Sequence, residues 1–278
     1  MGFLEKIDVL ICVGERDIDY LLEVCVRSCI KNFSPLGSIL FVSNQKQKVK
    51  AKISSFKLDF DRIYFFSDNE ILGEKLSCLD GWYRQQLIKL NSDSISKTKY
   101  VCVLGADTVI LKNIEVGKLF FEGTPIIYYN RYSTPCYHLE YERKRILNLS
   151  KVLKVEPRKS FFLGDFIMDL MIYDRDFLSQ LRNYIYRMYG ENFPLKIFKK
   201  NITTLLDKTS FGEQTLYTMF LLDVLKVNYL IKDNRNEFVT QLHTQDEFQN
   251  YSYNSYVVHF VNKDFDNHII KTNVCSKL

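Results

Sequence analysis

Asp107 ends a segment, Tyr100-Val101-Cys102-Val103-Leu104-Gly105-Ala106-Asp107-Thr108, whose chemistry changes abruptly from apolar to anionic. Its apolar and aromatic run is too short for a whole helix and leads into a small, flexible pair and then one carboxylate. The pattern predicts a buried parallel strand whose carboxyl end presents Asp107 to a cleft. In an open α/β sheet, ligands bind just beyond the carboxyl ends of the strands. A carboxylate placed there can hold a divalent cation, and the cation can neutralise a diphosphate. Ahead of it, Gly81-Trp82-Tyr83-Arg84-Gln85-Gln86-Leu87-Ile88-Lys89-Leu90 has helical spacing. Tyr83, Leu87 and Leu90 form an apolar stripe, while Trp82, Gln85, Gln86 and Lys89 form a second. Amides and an ammonium in a cleft suit sugar hydroxyls and phosphate oxygens. The same spacing also fits an ordinary amphipathic helix with a half-buried Trp.

Three further residues stand out by type and neighbours. Asp165 follows Gly164, which would let a ligand approach the backbone closely. Glu213 sits at capping-box spacing behind Ser210, where a helix-cap carboxylate is its plain role. His259 lies in the apolar run Tyr256 to Val261, where a satisfied core histidine is the plain reading.

These groups need a scaffold, and the first half of the chain predicts one. Strand signals at Ile7 to Val13, Ser38 to Ser43, Arg62 to Ser67 and the segment ending at Asp107 alternate with helical spacing over Leu21 to Lys31 and Gly81 to Asn91. Pro35-Leu36-Gly37 is expected to break the chain. Such alternation gives an α/β fold with a mostly parallel sheet flanked by helices. No Gly-x-Gly-x-x-Gly or Walker loop is present. The second half is less regular. It predicts a strand at Pro125 to Asn130, a basic helix over about Leu139 to Lys154, one or two short strands within Phe161 to Tyr173, and a helix capped by Asp176.

The 278 residues are 46% hydrophobic and 26% charged, ordinary values for a globular protein able to bury a large core. No apolar run approaches the ~18–20 residues needed to span a bilayer. The acidic N-terminus is unlike a signal peptide, so a cytoplasmic protein is expected. Seven cysteines without metal-ligand spacing fit reduced thiols. The net charge of +5 concentrates in Arg143, Lys144, Arg145, Lys151, Lys154, Arg158 and Lys159. A solvated helix face is the default for this 143–159 stretch; the sharper reading is a peripheral contact with anionic lipid at the inner face of the membrane. Nucleic acid is not expected as a partner, because the aromatics follow the core pattern and are not interleaved with these bases.

The Trp-Tyr-Arg-Gln-Gln helix followed by Val-Leu-Gly-Ala-Asp-Thr resembles a group of bacterial glycosyltransferases with the GT-A fold, in which a Trp-Tyr-x-Gln-Gln helix precedes an Asp-x-Asp strand end. The Arg16-Asp17 turn, Phe211 to Tyr217 and the late Val-His-Phe resemble it too, so the likeness spans roughly residues 7 to 260. The resemblance implies a single GT-A-like domain, with a nucleotide-sugar half over about 5–115 and an elaborated acceptor half over about 116–278. It implies donor contacts from Arg16, Asp17, Trp82, Gln85, Gln86, Lys89, Ala106 and Asp107. It also implies a divalent metal, manganese or magnesium, at Asp107 and His259, and catalytic carboxylates at Glu213 and Asp165. Gly105 stands where the first Asp of the motif would be.

The implied reaction moves a sugar from a nucleotide-sugar donor to a glycan acceptor of the cell surface, of capsule or lipopolysaccharide type. Charge grows on the leaving diphosphate, and metal or basic residues must stabilise it. In an inverting reaction a carboxylate such as Glu213 would take the acceptor proton; a retaining reaction requires no such base. A catalytically silent relative that binds a glycan or a partner is the alternative. A sugar nucleotidyltransferase fits less well, because Val13-Gly14-Glu15-Arg16 holds one Gly where a Gly-rich loop is needed.

Overall fold

A computed structural model describes residues 6–132, 140–191, 193–194, 211–234, 238–252, 254–261, 265–266, 270 and 272. Strand β1 (Ile7–Cys12) is buried along its whole length, as a strand covered on both faces must be. It leads through a short turn into α1 (Leu22–Asn32), which buries Leu22, Val24, Cys25, Val26 and Cys29. Next come β2 (Leu36–Val42), α2 (Lys46–Ser55), β3 (Ile63–Phe66), α3 (Asp68–Leu72) and α4 (Gly81–Leu90). The first half closes with β4 (Tyr100–Gly105) and β5 (Thr108–Ile110).

The second half contains α5 (Val116–Leu119), β6 (Phe120–Phe121), β7 (Thr124–Pro125), β8 (Ile127–Arg131), α6 (Glu140–Leu153), β9 (Gly164–Asp165), β10 (Leu170–Asp174) and α7 (Arg175–Tyr189). After these come α8 (Glu213–Met219), β11 (Ile231–Asp233), β12 (Val239–Leu242), α9 (Gln245–Gln249) and β13 (Val257–Phe260).

The main sheet has the order β10-β4-β1-β2-β3. β4, β1, β2 and β3 are parallel, and β10 returns antiparallel beside β4. A strand from the second half therefore completes the sheet of the first. The connections from β1 to β2 to β3 step one way, and β4 then lies on the other side of β1. The strand order thus reverses between β1 and β4, and the crevice at such a switch point is where open α/β sheets bind ligands. A smaller sheet, β12-β13-β5, stands directly behind Asp107, with His259 opposite Thr108.

Local chemistry explains where the elements differ from expectation. The expected break falls at Ser34 and Pro35, between α1 and β2, while Leu36 and Gly37 already belong to β2; a Cβ on Gly37 would come 2.5 Å from the buried Asp8 carboxylate. That carboxylate accepts bonds from Ser38 N, Ser96 Oγ and Lys97 N, which satisfies its burial at the amino end of the sheet. Helix α7 is capped by Asp174, whose side chain accepts from Asp176 N at 2.9 Å; Asp176 itself sits in the first turn. Helix α8 begins behind Gly212 without a side-chain cap, and Ser210 lies outside the described residues.

The basic stretch is only partly a surface. Arg145 is buried against Glu142 and Asp165, and Arg158 pairs with Asp223. Arg143, Lys144, Lys151, Lys154 and Lys159 remain exposed. Among the described residues no helix is long and apolar enough to cross a membrane.

Candidate functional site

Cys12, the last residue of β1, pairs with Gly105, the last of β4, so the turns that follow both strands open at the switch point. After β1, Asp17 Oδ2 accepts from Gly14 N at 2.9 Å and closes a short turn over Glu15–Asp17, with Arg16 exposed beside it. After β4, the buried Ala106 leads into Asp107. Burial pushes the Cys25 thiol well above its ordinary value, and the charges of Asp107 and Asp17 both add to the shift. The two turns therefore share one electrostatic neighbourhood.

Asp107 is joined to His259 and Asp169. His259 Nε2 lies 3.3 Å from Asp107 Oδ1, and its Nδ1 lies 3.0 Å from Asp169 Oδ2. Burial alone would lower the imidazole; the carboxylates of Asp169 and Asp107 outweigh it and raise His259 to about 10. Asp169 Oδ2 also accepts from Gln241 Nε2 at 3.0 Å. Backbone bonds hold the group in place, since Phe260 N donates to Asp107 O and Gly105 N donates to Asp169 O. The sequence singled out Asp107 and His259 and missed Asp169. Its one signal was a lone carboxylate in the apolar run Phe166-Ile167-Met168-Asp169-Leu170-Met171.

Two residues of the second stripe of α4, Gln86 and Lys89, reach Glu213, while Trp82 packs on the core. Asp80 caps the helix by accepting from Trp82 N at 2.9 Å. Lys89 Nζ lies 3.0 Å from Glu213 Oε1, and Gln86 Oε1 accepts from Glu213 N at 3.2 Å. Burial pulls the Lys89 ammonium down, but Glu213, Cys12 and Asp169 outweigh it, and its pKa rises. The charge of Asp169 thus acts on both His259 and Lys89. Trp82 is half-buried, edge-on to Tyr83 with ring centroids 5.3 Å apart, and Gln85 is half-buried one turn on.

Asp165 lies on the adjoining wall, in β9. Its Oδ1 accepts from Ile167 N at 3.0 Å and faces Arg145 Nη1 at 3.4 Å. Burial raises its carboxyl to about 6, against the lowering pull of Arg145 and with Glu142 and Asp169 adding to the rise. Gly164 does not serve a ligand: a Cβ there would meet Tyr129 Cδ2 at 2.3 Å and Asn130 O at 2.6 Å, so the glycine admits the neighbouring strand β8.

Residues 17–269 match DUF6492, a family of unknown function. The chain belongs to this family. No curated protein matches it in sequence. In structure, this DUF6492 member is similar to mouse xyloside xylosyltransferase 1 in its apo form, with a TM-score of 0.50 and 16% identity over 92% of this chain and 97% of that one. The bifunctional glycosyltransferase WbbM gives a TM-score of 0.49 and 11% identity, over 94% of this chain and 47% of that one. The fold of the DUF6492 member is GT-A-like: mixed α/β with a mostly parallel sheet flanked by helices.

Proposed function

We propose that the chain is a glycosyltransferase, taking a sugar from a nucleotide-sugar donor whose diphosphate lies at the Asp107–His259 end of the sheet. The observation that carries this reading is the pairing of a carboxylate with an imidazole, 3.3 Å apart, at the carboxyl end of β4 where the strand order reverses. The residues fit a small divalent cation. At bonds of ~2.1 Å, adjacent ligands lie roughly 3 Å apart, and Asp107 Oδ1 and His259 Nε2 are a hard oxygen and a nitrogen at about that spacing, the cation taking the place of the proton that His259 otherwise carries toward Asp107. Among the described residues no three His, Cys, Asp or Glu side chains form a metal-binding group, so donor phosphate oxygens and water would supply the remaining ligands. When bound, the cation would neutralise the charge that develops on the leaving diphosphate.

The other residues take roles according to their surroundings. Lys89 adds positive potential beside the diphosphate, held in place by Glu213. Trp82 and Gln85 are the donor-side contacts of α4, and Arg16 and Asp17 those of the turn after β1. Of the two candidate catalytic carboxylates, Asp165 is the better proton acceptor. Its side chain is 28% exposed and its carboxyl sits at about 6, whereas Glu213 is 2% exposed and committed to Lys89. The acceptor is a growing cell-surface glycan, of capsule or lipopolysaccharide type, by the sequence resemblance alone. The exposed bases of 143–159 would rest against anionic lipid at the inner face of the membrane.

The second reading, a silent relative that binds a glycan or a partner, is favoured by Gly105, which stands where the first Asp of the motif would be. Nucleotide binding with and without manganese, followed by donor hydrolysis, separates the two. Manganese-dependent binding with turnover supports the transferase; binding without turnover on any glycan acceptor supports the silent relative; no nucleotide binding contradicts the transferase.

A further inference from the structure

Position 105 leaves little room for a side chain as the neighbouring side chains stand. A Cβ on Gly105 would lie 2.6 Å from Thr108 Oγ1 and 2.9 Å from Asp107 Oδ1, so a side chain there would require both of those side-chain oxygens to move, Asp107's own among them. The register of β4 and β10 shows where a second carboxylate can stand. Leu170 pairs with Leu104 and Met171 with Val103, and continuing this antiparallel count sets Asp169 opposite Gly105. The bond from Gly105 N to Asp169 O, at 3.3 Å, extends that pairing to the strand ends. From this position Asp169 Oδ2 reaches His259 Nδ1 at 3.0 Å and accepts from Gln241 Nε2 at the same distance. His259 and Gln241 are themselves partners across β12 and β13.

We propose that Asp169 is a positioning residue of the site: its carboxylate, an ion-pair contact 3.0 Å from His259 Nδ1, orients the ring so that Nε2 faces Asp107, and it stands just ahead of β10, beside Gly105. A carboxylate on the far nitrogen of a ligating histidine fixes the ring's orientation and tautomer and strengthens the near nitrogen as a ligand. Three chain segments meet in this arrangement, from β4, β10 and β13, so the site depends on the return of β10 to the main sheet. The proposal rests on the reading of Asp107 and His259 as the diphosphate end.

Manganese titration of the whole chain, monitored by electron paramagnetic resonance, tests it together with ¹⁵N NMR of the histidine rings. The His259 signals are identified by their loss in His259→Gln. Asp169→Asn is expected to weaken manganese binding about 10- to 100-fold and to shift the His259 ring nitrogens, with Asp169→Glu recovering part of both. Circular dichroism checks that each variant is folded, and Asp169→Glu decides the matter should Asp169→Asn fail to fold. Manganese affinity within about twofold of wild type in Asp169→Asn, while Asp107→Ala loses binding, would overturn the proposal alone. A wild-type chain that binds no manganese would overturn the cation reading; the ring signals then decide the role of Asp169, and unchanged signals in Asp169→Asn would overturn it too.

Discussion

Lys89 and Glu213 face each other across 3.0 Å, joining helix α4 to helix α8 over a separation of more than a hundred residues in sequence. The pair is deeply placed, with the Glu213 side chain 2% exposed and that of Lys89 17%. Removing one partner leaves the other charge buried and uncompensated, which costs about 3–5 kcal/mol. Lys89→Met and Glu213→Gln are each expected to lower stability by an amount of that order. The double variant is expected to cost less than the sum of the two, since neither charge is then stranded. Urea unfolding of the four proteins measures this, and simple additivity would show that the two side chains do not act as a pair.

Gly105→Asp would restore the Asp-x-Asp pattern of the resembling enzymes, and the packing argues against any benefit. Its Cβ must displace Thr108 Oγ1 and Asp107 Oδ1. Overpacking of this kind costs about 1–3 kcal/mol. The variant is expected to melt at a lower temperature and to bind manganese no better than wild type. Tighter manganese binding at unchanged stability would contradict the account.

Asp165 gives a pH dependence whose sign is fixed by its surroundings. The groups facing it are Arg145 and Glu142 from α6, Asp169 ahead of β10, and the hydroxyls of Tyr132 and Tyr141. Its folded carboxyl is raised from 3.8 to about 6, so the folded chain keeps this proton where the unfolded chain has released it. The contribution to stability is present in full below the unfolded value and is lost as pH rises through about 6. Between pH 4 and pH 7 the melting temperature of wild type should therefore fall relative to that of Asp165→Asn. A constant difference between the two across that window would show that Asp165 titrates normally.

Much of this scaffold was legible because β1 and β4 are buried on both faces and so appear as unbroken apolar runs. Asp107 was visible for the same reason: a carboxylate at the end of such a run has to meet solvent or a ligand. The stripe of Trp82, Gln85, Gln86 and Lys89 was visible in the helical period, but its use was not. Gln86 and Lys89 serve Glu213, and no local pattern connects α4 to α8. Asp169 was hidden more deeply. It looks like an interruption in a short strand until β10 is paired with β4, and that register is a long-range property of the sheet. Gly37 and Gly164 misled for a related reason: each makes room for a neighbouring strand or side chain that only the fold brings close.

Asp107, as the proposed carboxylate of a nucleotide-sugar diphosphate site, should control nucleotide binding. Thermal-shift titration with a panel of nucleoside diphosphates, with and without manganese, tests it on wild type and on Asp107→Ala. Wild type is expected to be stabilised by at least one nucleoside diphosphate in a manganese-dependent way, and Asp107→Ala is expected to show no such stabilisation relative to its own ligand-free melting temperature. Equal stabilisation of the two proteins would contradict the account.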